Sequence, residues 1–215
     1  MSTFLNSIAK LVYKNITDLT GYHCITCKTM ISKQVFCESC SVSIKLSGIQ
    51  PGHSNTYAFF SYQGALQKAI VQAKFIPNKA IATYILTLLH ENAALLSLLK
   101  QHDFEAIFFV PIHTKRILKR GFDFSSLFAK KLAAILSLPV LDVLICKQFA
   151  EPSTINNNHN SSKRNRFEVK NTASKYTNIL LVDDVITTGK TLEDVTNQLH
   201  NITAKITKVA FASAI

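Results

Sequence analysis

The segment LLVDDVITTGKT, residues 180–191, sets two adjacent carboxylates, Asp183 and Asp184, at the end of an apolar run. Thr187, Thr188, Gly189, Lys190 and Thr191 follow directly. An apolar strand that delivers acids to the carboxyl edge of a sheet places hydrogen-bond acceptors where open α/β folds take their ligands. The run behind them combines hydroxyls, a glycine that permits close approach, and the N–H groups of a starting helix, which together make a phosphate cradle. A ligand with a phosphate at one end and vicinal hydroxyls at the other satisfies both halves. Gly189-Lys190-Thr191 ends like the Walker A loop of NTPases, but the position that loop requires as its first glycine is Asp184, so that reading fails. A receiver-type acidic pocket leaves the threonine and glycine run without a purpose.

A second constellation is C-x2-C-x9-C-x2-C: Cys24, Cys27, Cys37 and Cys40. Two thiolates separated by two residues of one tight turn reach the same tetrahedral ion, and two such turns complete a four-thiolate zinc shell. Two disulfides are the competing reading, disfavoured in a chain that shows no export signal. A thioredoxin-like redox pair needs only one such turn. Zinc here reads as a structural clip that folds with its metal. His23 reads as a bystander, and Cys146 stands alone in an apolar run.

Strand patterns fall at residues 56–62, 105–110, 140–145, 178–182 and 206–212, and helical periodicity at 66–75, 79–100, 122–136 and 188–201. Alternation of this kind makes βαβ units and a mostly parallel twisted sheet flanked by helices. Residues 46–54 carry Gly48, Pro51 and Gly52 and read as a linker, which divides the chain into residues 1–50, an N-terminal helix with the cysteine element, and 51–215, the α/β domain. After Val110-Pro111 come Lys115, Arg116, Lys119 and Arg120, a basic loop near the same sheet edge as the cradle. Its partner is either a pyrophosphate, which guanidinium forks match, or single-stranded DNA, for which Phe122 and Phe124 offer stacking faces unless they belong to the core. His113 reads as a loop or capping histidine. Between Cys146 and Thr177 the periodicity lapses into an asparagine-rich run with Lys163, Arg164 and Arg166, read as a flap beside the site or as low-complexity drift.

The chain has 215 residues, 47% of them hydrophobic, enough for a sizeable core, and its 24 Lys+Arg against 13 Asp+Glu give a net charge of +11. That surplus favours a polyanionic partner. No stretch approaches the ~18–20 apolar residues of a membrane span. Residues 1–19 read as an amphipathic helix that docks on the body of the protein or lies on a membrane surface, and the expected location is cytoplasmic.

LLVDDVITTGKT resembles the phosphoribosyl pyrophosphate signature of type I phosphoribosyltransferases. The resemblance implies that Asp183 and Asp184 hold the ribose hydroxyls and that Thr187, Thr188, Gly189, Lys190 and Thr191 hold the 5′-phosphate, with Mg²⁺ accompanying the ligand. The four cysteines, then Tyr62-Gln63-Gly64 leading to Lys74-Phe75, then VPIHTKRILKRGFDF (residues 110–124), then the signature, occur in an order similar to the ComF/ComFC family of competence proteins. That family implies a phosphoribosyltransferase-like domain carrying an N-terminal zinc element. It also implies a part in the uptake of transforming single-stranded DNA, alongside the uptake machinery of the inner membrane. Asp123-Phe124 stand where the family commonly has Asn-Gln. Two function classes follow: a binding module that uses the phosphoribosyl site as a ligand pocket, or an active Mg²⁺-dependent transferase acting on a nucleobase-like acceptor. The sequence shows no acceptor pocket and singles out no catalytic residue.

Overall fold

Residues 179–182 are apolar on both faces, a pattern suited to a strand covered on both sides, and in the computed structural model all four are fully buried. The structure describes residues 22–31, 35–48, 55–75, 78–147, 166–170, 176–200 and 203–215. Along the chain these form β1 (Tyr22–His23), β2 (Met30–Ile31), α1 (Glu38–Val42), β3 (Thr56–Ser61), α2 (Gly64–Phe75), α3 (Lys79–Thr87), a 3₁₀ turn (Leu88–Glu91) and α4 (Ala93–Lys100). There follow β4 (Ala106–Phe109), α5 (Thr114–Arg120), α6 (Phe124–Leu136), β5 (Val140–Leu141), β6 (Leu144–Cys146), β7 (Phe167–Val169), β8 (Asn178–Ile186), α7 (Lys190–Leu199) and β9 (Lys205–Ser213).

The main sheet runs β3-β9-β8-β4-β5 with every neighbouring pair parallel. Alternate residues of β8 feed two cores. Leu180 and Val182 join Phe59, Phe128 and Phe211 on one face, while Ile179 and Leu181 join Phe108, Leu192 and Val195 on the other. The first face is an aromatic cluster in which Phe128 meets Phe59 and Phe211 edge-on at 5.9 and 5.7 Å between centroids, the geometry that ring quadrupoles favour.

Connectivity then decides where a ligand fits. From β4 the chain crosses by α6 to β5, and from β8 it crosses by α7 to β9, on the opposite side and over the opposite face. Neighbouring strands whose crossovers diverge leave a crevice at their carboxyl ends.

Four expectations change. The helix expected over 79–100 is broken, with α3 and α4 bent by 77°. The cause is Asn92, whose Oδ1 accepts from Leu95 N and whose amide donates to Ser47 O and Phe59 O, ending one helix and starting the next. The basic loop after Pro111 is the helix α5, closed by Gly121 at φ 76°. The strand expected over 140–145 is two short strands in different sheets, β5 on the main sheet and β6 paired antiparallel with β7. The strand expected to end at Val182 continues through both acids to Ile186. The N-terminal helix, most of the linker and most of the asparagine-rich segment lie outside the described residues. Among the described residues no single helix is long and apolar enough to cross a membrane.

Candidate functional site

Asp183 enters the crevice from β8 directly after Val182, whose carbonyl accepts from Val110 N at the end of β4. Its Oδ1 accepts from Asp184 N at 2.8 Å and from Ser125 Oγ, on the first turn of α6, at 3.2 Å. Burial, with Asp184 adding repulsion, pushes the Asp183 carboxyl up to about 8, against the pull of the Asp184 N–H, of Lys74 and of Ser125. Asp184 Oδ1 accepts from Val185 N at 2.6 Å and its Oδ2 pairs with Lys74 Nζ at 2.5 Å.

A third carboxylate supports the crevice from the other side. Asp123 caps α6, accepting at Oδ1 from Ser125 N and Ser126 N, and its Oδ2 accepts from Ile112 N. It therefore ties the loop after β4 to the start of α6. Burial raises its carboxyl, and those N–H groups hold it back. Ser125 thus connects two acids, donating its N–H to Asp123 and its hydroxyl to Asp183. Neither Ser125 nor Asp123 is read as a site residue from the sequence; an aspartate placed directly before a helical run is the capping signal that could have found Asp123.

The basic cluster divides by helical spacing. Arg116 and Arg120, four apart on α5, are half-buried; Arg120 feels Asp184 and Asp123, which support a charge that burial and Arg116 disfavour. Lys115 and Lys119 are exposed, and Leu118 beside them is 86% exposed. His113 caps this helix, accepting from Lys115 N through Nδ1, as expected of a capping histidine. Phe122 and Phe124 are 6% and 2% exposed and belong to the aromatic core, so neither offers a face to a base. Arg166 is half-buried, its guanidinium 5.1 Å from the centroid of the Phe167 ring, and Lys163 and Arg164 lie outside the described residues.

Past Ile186 the chain turns through Thr187 and Thr188, both exposed, to Gly189, whose φ of 74° suits a residue without a Cβ. Lys190 and Thr191 open α7, and Thr188 Oγ1 accepts from Lys190 N at 3.4 Å. The N-terminus of α7 therefore follows the acid pair at the same edge of the sheet, its amide dipoles directed toward whatever binds there.

The cysteines form a separate centre. The sulfur atoms of Cys24, Cys27, Cys37 and Cys40 all lie within 4.8 Å of one another, close enough for one ion to meet all four. The turn is set by Cys24 N donating to Thr29 O and Lys28 N to Cys24 O, with Lys28 at φ 65°. Burial pushes the Cys24 thiol up, but N–H groups of Cys27, Cys37 and Thr26 outweigh it and bring it to about 6, whereas burial and the neighbouring thiols push Cys40 to about 12. Four thiolates at this separation repel unless a cation sits among them, which is the chemistry of a metal shell. His23 is exposed and outside the group.

A parallel sheet with diverging crossovers, acids on its central strand and a glycine-opened helix beside them defines an α/β ligand-binding domain. Residues 95–215 match the phosphoribosyl transferase domain family, and the chain belongs to that family. Comparison with curated protein sequences gave no match. Among solved structures the chain is similar to adenine phosphoribosyltransferase from Saccharomyces cerevisiae, 12% identical over 82% of this chain and 86% of that one, with a TM-score of 0.43. Adenine phosphoribosyltransferase from Trypanosoma brucei is 11% identical over 78% and 87%, TM-score 0.43. Orotate phosphoribosyltransferase from Aeropyrum pernix is 12% identical over 80% and 76%, TM-score 0.36.

Proposed function

We propose that this chain binds phosphoribosyl pyrophosphate with Mg²⁺ at the β8–β4 crevice. Asp183 and Asp184 accept from the ribose hydroxyls, Thr187, Thr188, Gly189, Lys190 and Thr191 take the 5′-phosphate, and Arg120 with Arg116 faces the diphosphate. The observation that carries this reading is the acid pair at a crevice between diverging crossovers, followed at once by a helix opened by Gly189. Mg²⁺ would supply charge neutralisation on the phosphates it accompanies. The test is thermal stabilisation. A ligand at a hundred times its dissociation constant stabilises by about 2.7 kcal/mol, and Asp183→Ala with Asp184→Ala should abolish that shift. Equal shifts in both proteins would place the ligand elsewhere.

The cellular role we propose is that of a ComF-like competence protein, cytoplasmic and peripheral to the inner-membrane uptake machinery. In it the cysteine element of residues 1–50 holds structural zinc, and residues 51–215 form the phosphoribosyl domain. Transforming single-stranded DNA would run along α5, where Lys115 and Lys119 are exposed, aided by Lys163, Arg164 and Arg166; the +11 charge supports this. With both phenylalanines buried, this contact is electrostatic alone, so affinity for a labelled oligonucleotide should fall with salt at a log-log slope of about −0.7 per phosphate. Salt-insensitive or absent binding in a fluorescence anisotropy titration would remove DNA as the partner.

A further inference from the structure

Lys74, near the end of α2, lies outside the residues 95–215 that match the family, yet its Nζ sits 2.5 Å from Asp184 Oδ2. The other oxygen, Oδ1, already accepts from Val185 N. A ligand hydroxyl that donates to Oδ2 shares that oxygen with the ammonium and weakens the ammonium's hold on it.

The two side chains are only 15% and 17% exposed, and an ammonium parted from its anion at that depth is costly unless another anion takes it. A ligand carrying vicinal hydroxyls and a diphosphate brings both the competitor and the replacement. The ammonium lies 5.9 Å from the centroid of the Phe124 ring, on the first turn of α6, where cation–π attraction keeps it at the edge of the crevice. Its flexible four-carbon stem lets the charge turn from carboxylate to phosphate while α2 stays in place.

We infer that Lys74 is a further ligand-binding residue of this site: paired here with Asp184, it passes to the diphosphate when the ribose hydroxyls dock. This rests on the reading of the crevice as a phosphoribosyl pyrophosphate site. Isothermal titration of phosphoribosyl pyrophosphate with Mg²⁺, and of ribose 5-phosphate, separates the two. Lys74→Met should weaken the diphosphate ligand at least tenfold and leave ribose 5-phosphate, which has the hydroxyls and no diphosphate, bound as well as before or a few-fold tighter. Lys74→Gln, which keeps a donor for Asp184 without the charge, should give the same split and serves if the methionine variant does not fold. Equal weakening of both compounds would make Lys74 a support for Asp184 only, and unchanged binding of both would remove it from the site. Wild-type protein that binds neither compound overturns the site reading, and this inference with it, before any variant is made.

Discussion

The cysteine element and the crevice are both clusters of ionisable groups, but they are assembled in opposite ways. The four thiols come from two local turns, and each turn is closed by its own backbone hydrogen bonds. The crevice draws Asp183 and Asp184 from β8, Ser125 and Asp123 from the start of α6, Arg120 from α5 and Lys74 from α2. The first is set by neighbours along the chain; the second exists only once the sheet is built. The cysteine element is nonetheless not isolated. Phe36, directly before Cys37, is buried in the main core at 6.2 Å from the Tyr84 ring, and Thr26 Oγ1 donates to Ala65 O of α2. Local turns place the thiols, and the domain supplies the burial that so small an element cannot supply itself.

Removing the metal shell is expected to have the largest effect. Cys37→Ser with Cys40→Ser should reduce bound zinc from near one per chain to near none, forfeiting an apparent binding energy of about 10–16 kcal/mol. Metal analysis of purified protein checks this, and near-stoichiometric zinc in the double variant would end the assignment. Phe36→Ala tests the dependence of the element on the domain: a buried phenylalanine lost from a core costs about 3–5 kcal/mol, or about 10 °C in a domain of this size. A melting temperature unchanged by that substitution would mean that the two regions do not share a core after all.

The crevice has a pH signature of its own, set by a carboxyl rather than by thiols. Asp183 has its folded value raised to about 8 from 3.8, so between those values the native state holds a proton that the unfolded chain has released. Stability should therefore fall as pH rises from about 4 to about 8, and level off above. Asp183→Asn should flatten that slope in urea unfolding followed across the range; an unaltered slope would assign it to other groups. Ligand affinity should move the other way, tightening toward pH 8 as Asp183 becomes a charged acceptor. The smallest expected effect is that of Ser125→Ala, which removes one hydrogen bond to Asp183 worth about 1 kcal/mol. It should weaken ligand binding about fivefold by calorimetry and leave zinc content unchanged. Zinc lost alongside ligand would show that the two centres are coupled through α2.

What could be read from the sequence follows from the same contrast. The spacing of the cysteines and the run from Leu180 to Thr191 carry their geometry in adjacent residues, because a tight turn and a strand-to-helix turn are fixed by neighbours along the chain. The alternation that gave a parallel sheet is equally local, and five parallel strands resulted. Hydrophobic periodicity could not show the break at Asn92, since the apolar positions continue past it; the helix ends because that amide is needed by Ser47 and Phe59, a tertiary demand. Phe122 and Phe124 stood beside basic residues in the sequence and turned into the core in the fold, because burying two rings outweighs presenting them. The same tertiary folding chose the partners of the acids. Ser125 and Asp183 are 58 positions apart, and nothing in either residue's neighbourhood along the chain names the other. The sequence by itself determined the local clusters: four cysteines at two-residue gaps, and an apolar strand leading through an acid pair to a glycine and a helix start. Only the packing of α2 and α6 against the sheet decided that a lysine from outside the family's span would sit on Asp184, because contacts between distant segments are fixed by how the cores fill.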